Sequence, residues 1–282
     1  MITNNAKMPA AIVAAVRNDP YSRGDADISC TTLIGPPMIR HLREQHADDI
    51  EEDAADRIWS LVGQAVHAVV ERAAAPCELQ EERLFATFEA DGVGPKVVSG
   101  QFDLFDGRVL TDLKVTSVWS VKAGIKAEWE AQLNVLAELL RCYGFEPREL
   151  QIVAIARDWR KNEAQRYDDY PARQVVTLPV PLWPRRQAVE YIHARLQAHY
   201  ARDPEPCTPD ERWDKPDTWA VMRKGRKSAM RVLPSEEEAQ RWKEDNGGDS
   251  IVHRPGASPR CEQYCEVAQW CPYGRQVLGL DD

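Results

Sequence analysis

The 282-residue sequence has no run of about 18 apolar residues, so no segment is predicted to cross a membrane as a helix. Its first residues, Met1 to Ala10, lack the positive, apolar and small-residue order of a secretory signal, and the chain is expected in the cytoplasm. Positive charge is not in excess either: the formal net charge is −9. That balance argues against a surface that holds nucleic acid by broad electrostatic attraction. There are no internal repeats and no low-complexity tracts. The seven cysteines, an odd number without a signal sequence, argue against a disulfide framework.

What remains is the composition of a soluble globular protein, 43% hydrophobic and 29% charged. The chain is long enough for one large domain, or for a domain with a smaller annex. Basic residues gather locally in Arg223-Lys224-Gly225-Arg226-Lys227, followed by Arg231. Such a run suits either phosphate contacts or a solvated turn.

Periodicity predicts the elements. Residues 1–30 read as a partly ordered lead-in. A short helix is expected near Met38 to His46, and a longer one from Ile50 to Ala75, ended by Pro76. In the longer helix Ile58, Leu61, Val62, Ala65, Val66 and Val69 recur at the spacing of a buried stripe. Alternation predicts strands over Arg83–Glu89, Lys96–Phe105 and Arg108–Ser117, the last two joined by Asp106-Gly107 as a two-residue hairpin loop. A helix over Lys126–Tyr143, strands over Gln151–Trp159 and Arg173–Val180 and a helix over Pro181–Tyr200 follow. The order implies an α/β core, a central mixed sheet flanked by helices, over 31–202. Beyond it, 203–282 reads as an annex with one helix, Ser235–Asn246.

A two-residue loop at 106–107 sets Leu104 opposite Val109. Asp103, Leu110, Asp112 and Lys114 then share one face, with Asp103 and Asp112 diagonal neighbours. Two carboxylates at that spacing can meet on one divalent cation, and a lysine beside them can orient water or offset charge on a phosphodiester. A surface salt bridge is the other use of such a pattern. Upstream, His67 and Glu71 lie on one helix face with Gly63 a turn earlier, where something can approach closely. An imidazole ligand suits Mn²⁺ more than Mg²⁺. Downstream, Gln132 opens a helix and is placed to hydrogen-bond a nucleotide or a catalytic group.

In this order the pieces resemble the RecB-like branch of the PD-(D/E)XK nuclease superfamily, and are similar to its CRISPR-associated and phage iron–sulfur exonucleases. The matching residues are Gly63 with His67, Gly100 with Asp103, Asp112 with Lys114, and Gln132. Two positions depart from the pattern: Leu136 stands where the family places a tyrosine, and Gly35 where relatives carry a cysteine before Pro36. The resemblance implies a restriction-endonuclease-like core and a Mg²⁺- or Mn²⁺-dependent deoxyribonuclease acting on single strands or DNA ends. His67, Asp103, Asp112 and the Leu113 carbonyl would be metal ligands, Glu71 a further ligand through water. Lys114 would be the catalytic lysine, and Gln132 would belong to the glutamine motif. The implied setting is DNA processing, recombination or repair, with CRISPR or phage replication proteins as partners. A DNA-binding or assembly subunit with weak catalysis is the alternative.

Cys261, Cys265 and Cys271 crowd the C-terminal end, which points to a metal site rather than scattered core thiols. They resemble three C-terminal ligands of the family's iron–sulfur cluster. A [4Fe–4S] cluster, or an all-cysteine Zn²⁺ site, needs a fourth thiolate. Cys207, in Pro206-Cys207-Thr208-Pro209, is the first choice and Cys30 the second; Cys77 and Cys142 read as ordinary thiols.

Overall fold

A computed structural model describes residues 1–18, 22–73 and 79–280. The chain divides into two compact units: Met1–His41 with Asp48–Glu205, and Leu42–Ala47 with Pro206–Asp282. The first contains, in chain order, β1 (Ile2–Thr3), α1 (Ala10–Arg17), β2 (Ile28–Ser29), α2 (Cys30–Ile34), the start of α3 (Pro37–Gln45), β3 (Glu52–Asp53) and α4 (Ile58–Glu71). After it come β4 (Leu79–Gln80), β5 (Arg83–Ala90), β6 (Gly94–Gln101), β7 (Leu104–Phe105), β8 (Val109–Thr116), α5 (Val118–Lys122) and α6 (Ala127–Cys142). The unit ends with β9 (Glu149–Ala156), α7 (Lys161–Arg166), β10 (Val175–Val180) and α8 (Arg185–His199). It is an α/β fold of mixed sheets flanked by helices.

The main sheet has the order β10-β9-β8-β7-β4. β8 and β9 run parallel, joined by a crossover through α5 and α6, and the other neighbours are antiparallel. A second sheet has the order β2-β6-β5. β9 alternates buried and half-buried residues, whereas β8 is buried at four consecutive positions, Leu110 to Leu113, as befits an interior strand. Between them, α6 is rich in strong helix formers and is buried almost all round from Trp129 to Leu140. Its polar residues there are satisfied. Asn134 donates to the Glu130 and Pro181 carbonyls and accepts from the Trp183 amide. Glu138 accepts from Arg141 and Arg185.

The second unit holds the end of α3, α9 (Pro209–Arg212), β11 (Thr218–Met222), β12 (Arg231–Leu233), α10 (Glu236–Asn246), β13 (Ser250–Arg254) and α11 (Pro272–Leu278). Its three strands form a sheet of order β12-β11-β13. The sequence pattern predicted α10 but not this sheet, because its strands are short and leave Val232 and Val252 exposed, which breaks the alternation. Arg43 on α3 pairs with Glu266, and His46 stacks on Trp270 with ring centroids 4.4 Å apart.

Three sequence expectations are corrected. The Asp106-Gly107 loop is longer than two residues: Leu104 pairs with Thr111, not Val109. The Asp106 carboxylate causes this by accepting from the amides of Arg108 (2.8 Å) and Val109 (2.6 Å), a local turn that competes with the ladder. Second, Lys96–Phe105 is not one strand. It breaks at Phe102–Asp103 into β6 and β7, which belong to different sheets. Third, α4 has no buried residue, and Trp59, Val62 and Val69 are exposed. The lead-in also carries β1, α1 and β2. Pro76 and Cys77 lie outside the described residues.

Gly100 lets α6 approach β6. A Cβ there would lie 2.5 Å from Leu136 Cδ2, 2.8 Å from Leu139 Cδ1 and 3.3 Å from Cys30 Cβ. Both leucines are fully buried and have little room to swing. Gly100→Ala is therefore predicted to cost about 1–3 kcal/mol in urea unfolding; a variant as stable as the parent would show that the helix yields freely.

Candidate metal centre

Strand β8 brings a buried acid and a lysine to the same face two residues apart. Asp112 is 3% exposed, and its carboxylate lies 2.8 Å from the Lys114 ammonium. Gln132, from the first turns of α6, closes a three-membered network: it accepts from Lys114 Nζ at 3.1 Å and donates to Asp112 Oδ1 at 3.1 Å. Burial lifts the Asp112 carboxyl above the usual carboxylate range although Lys114 opposes it. Burial also works to lower the Lys114 ammonium, but the charge and hydrogen bond of Asp112, with Asp103 adding, outweigh it and hold the lysine above its ordinary value. Asp112 Oδ2 makes no hydrogen bond in proper geometry despite its burial and the nearby ammonium.

Asp103 sits at the break between β6 and β7 and faces two ways. Its Oδ2 accepts from the Leu113 amide at 2.6 Å, and its Oδ1 lies 3.3 Å from His67 Nδ1. On the other side of the same imidazole nitrogen is Glu81 Oε1, at 3.2 Å. His67, Glu81 and Asp103 each offer one ligand atom within 4.8 Å of the other two. An octahedral cation with bonds of about 2.1 Å puts adjacent ligands about 3 Å apart, close to the 3.2 and 3.3 Å from the imidazole to the two carboxylates. The imidazole is pushed up to about 10 by its hydrogen bonds to Asp103 and then Glu81, against the effect of burial.

The sequence reading placed His67, Asp103, Asp112 and Leu113 on one cation. The structure brings the first two together, sets Asp112 beside them with Lys114, and engages Leu113 through its amide. Glu71, read as a ligand through water, is exposed at the last position of α4 and is not in the triad. Glu81 takes the third place and was missed. It sits between the two-residue β4 and the start of β5 with φ +48°, a left-handed conformation no pattern announces. Its amide donates to the Asp103 carbonyl at 3.1 Å, which fixes the two acids side by side. Gln101 then donates to Glu81 Oε2 at 2.6 Å while accepting from Arg83 at 2.8 Å. Gly63 has nothing within 4 Å of where a Cβ would stand, so among the described residues its surface is open.

Cys30 is 3% exposed, and its thiol donates to the Gln132 carbonyl at 3.7 Å. Burial pushes it up to about 12. The charges of Asp112 and Lys114 act on it in opposite directions, the first raising and the second lowering it. Cys142 is exposed at the end of α6. In the second unit, burial pushes Cys207 up to about 12, with charges on Glu211, Cys271 and Cys265 adding, and Cys261 up to about 11, with Cys265 and Cys271 adding. These four thiols thus sense one another, yet no three of their sulfurs lie within 4.8 Å. Cys207 is set by the α9 capping box, in which Thr208 and Glu211 satisfy each other's amides. Next to it Arg212 binds both the Cys207 carbonyl and Asp214, and Asp214 accepts from Ser258.

Because the folded His67 binds its proton more tightly than an ordinary histidine near 6.5, its contribution to stability is complete below that pH and is lost as pH rises through about 10. The metal-free protein is predicted to lose urea resistance between pH 7 and 10, and His67→Gln to lose markedly less. Equal slopes in the two proteins would refute the clamp between Asp103 and Glu81.

No family model matches the chain, and no curated protein matches it. Among solved structures the chain is similar to the crystal structure of SSO0001, at 13% sequence identity and a TM-score of 0.46, over 66% of this chain and 83% of that one.

Proposed function

We propose that the protein is a divalent-metal-dependent DNA nuclease of the RecB-like PD-(D/E)XK kind, with the restriction-endonuclease-like core in the first unit. One observation carries the reading: the Asp103 carboxylate joins an imidazole–carboxylate triad on one side to the strand bearing Asp112 and Lys114 on the other. The residues fit a cation. The donor set is one nitrogen and several oxygens, and the separations of 3.2 and 3.3 Å from the imidazole to Glu81 and Asp103 suit octahedral bonds.

His67, Glu81 and Asp103 would hold the ion, with Asp112 Oδ2 and the Leu113 carbonyl beside them; the imidazole favours Mn²⁺ over Mg²⁺. When bound, such an ion lowers the pKa of water and offsets negative charge on a phosphodiester. Lys114 keeps its proton and presents an ammonium to the scissile phosphate or its attacking water. Gln132 fixes the rotamer of that lysine and the tilt of Asp112. The substrate is DNA, single-stranded or at ends, attacked exonucleolytically during processing, recombination or repair, with recombination, CRISPR or phage replication proteins as partners.

In the second unit, Cys207, Cys261, Cys265 and Cys271 would hold a [4Fe–4S] cluster. A tetrahedral zinc with Zn–S bonds of about 2.3 Å draws its sulfurs to about 3.8 Å from one another. No three of the four sulfurs lie within 4.8 Å of one another here. A second reading, a DNA-binding subunit with little turnover, is favoured by the saturation of Lys114 by Asp112 and Gln132.

Asp103→Ala and Lys114→Ala are each expected to reduce Mn²⁺-supported DNA cleavage at least a hundredfold (roughly the size of one lost electrostatic contact) with an unchanged circular dichroism spectrum. Full cleavage by both variants would overturn the nuclease reading, whereas DNA binding without turnover by the parent would favour the second. Anaerobically purified protein is expected to contain iron and sulfide, both lost in Cys265→Ala. Zinc alone would replace the cluster with a structural ion.

A further inference from the structure

Helix α4 bears the imidazole of the proposed metal centre, and none of its residues is buried although most of them are apolar. Trp59, Gly63 and His67 follow one another at four-residue steps and so form one ridge of the helix. Trp59 is 56% exposed. Tryptophan is highly buried on average, so such exposure calls for an occupant. The Arg157 guanidinium lies 4.1 Å from the Trp59 ring centroid, which places a cation against the indole.

Arg157 also fixes where on the sheet this happens. Its amide donates to the Thr116 carbonyl at 2.8 Å, at the end of β8 and two residues beyond Lys114. The next residue, Asp158, accepts from the Val118 amide at 2.7 Å, and Ser117 caps α5. Two residues after Ser117 stands Trp119, which is 74% exposed. Two exposed indoles and an arginine are thereby assigned to the same end of the strand that carries Asp112 and Lys114. Between Trp59 and His67 the ridge is bare at Gly63. Eight residues of helix separate the two side chains by about 12 Å, a few nucleotides of chain.

We propose that Trp59 and Trp119 form a stacking subsite for the bases of a single-stranded nucleic acid whose phosphate lies at the His67–Glu81–Asp103 centre. This rests on the nuclease reading and deepens it by naming the strand state of the substrate. It also accounts for a net charge of −9 in a protein that handles a polyanion. Stacking on indoles is available to every base and needs no broad basic surface. Paired bases inside a duplex hide their faces from an indole, so the subsite discriminates against blunt duplex.

The test uses the full-length protein and fluorescein-labelled dT12, with anisotropy measured in EDTA and cleavage kinetics in Mn²⁺. Trp59→Ala is expected to weaken dT12 binding roughly five- to a hundredfold, the range seen for loss of one base-stacking aromatic. Trp59→Phe restores most of it, and Trp119→Ala weakens binding less. In Mn²⁺ the change falls on KM rather than kcat. A 12-mer with abasic sites at successive positions should bind the parent as weakly as dT12 binds Trp59→Ala, which a merely structural role would not produce. Gly63→Leu, whose Cβ would meet nothing within 4 Å and which improves helix propensity, should preserve thermal stability yet weaken dT12 binding. Equal dT12 affinity in the parent and Trp59→Ala, alongside normal cleavage, overturns the subsite and leaves the nuclease standing. Trp59-dependent binding without cleavage by the parent does the reverse. If the parent neither binds nor cleaves, both fall.

Discussion

The first unit is organised around the carboxylate of Asp103, which stands where a strand breaks. Phe102 and Asp103 interrupt the extended run, so β6 goes to one sheet and β7 to the other. At the break one oxygen of Asp103 takes the Leu113 amide and the other reaches His67, while its main-chain carbonyl takes the Glu81 amide. One residue thereby ties together an interior strand, a helix and an edge connection. Its neighbour Phe102 is 1% exposed and anchors the break in the core. Without that anchor the acid would be free to follow the strand into solvent, and the triad would have no fixed third side.

The electrostatics of this region do not look like a device for stability. Taking Asp112 and Lys114 out of water costs several kcal/mol per ion before their attraction is counted, and isolated buried pairs often break even at best. Here burial raises the carboxyl of Asp112 and opposes the charge on Lys114, so both groups are kept ionised mainly by each other. Gln132 adds a hydrogen bond to each, and Cys30 lies beneath as a neutral thiol donating to the Gln132 carbonyl. An apolar pair of equal volume would serve the fold as well. The arrangement makes sense when a charge at this place has a task.

Much of this was legible because side-chain parity survives errors of register. The Asp-Gly signal predicted a tight loop, and the Asx-type turn at Asp106 lengthened it. Leu104 moved from Val109 to Thr111, an even shift, so the face of β8 that carries Asp112 and Lys114 kept its relation to Asp103. Gly100 was legible as part of a motif and proves to be the contact point of Leu136 and Leu139. Glu81 was not legible, because a residue in a left-handed turn after a two-residue strand has no periodicity to betray it. Glu71, by contrast, satisfied the helical spacing to His67, yet helix phase places a residue on a face without deciding what that face meets. The sheet of the second unit was hidden for a similar reason: its exposed valines mimic a polar loop with stray apolar residues.

The same limit explains the misreading of α4. The stripe of Ile58, Leu61, Val62, Ala65, Val66 and Val69 is the pattern of a helix packed on a core, but no residue of α4 is buried. Periodicity reports that a face is apolar and does not say that this chain covers it. Only part of the stripe meets the fold: Ile58 and Leu61 pack with Val13, Val16 and Ala54, while Val62 and Val69 stay open. A helix that sets an imidazole beside two carboxylates and leaves an indole of the same ridge in water suits the proposed ligand, something planar and apolar near a charged centre. The bases of an unpaired strand, with phosphates at fixed intervals, have that combination of properties.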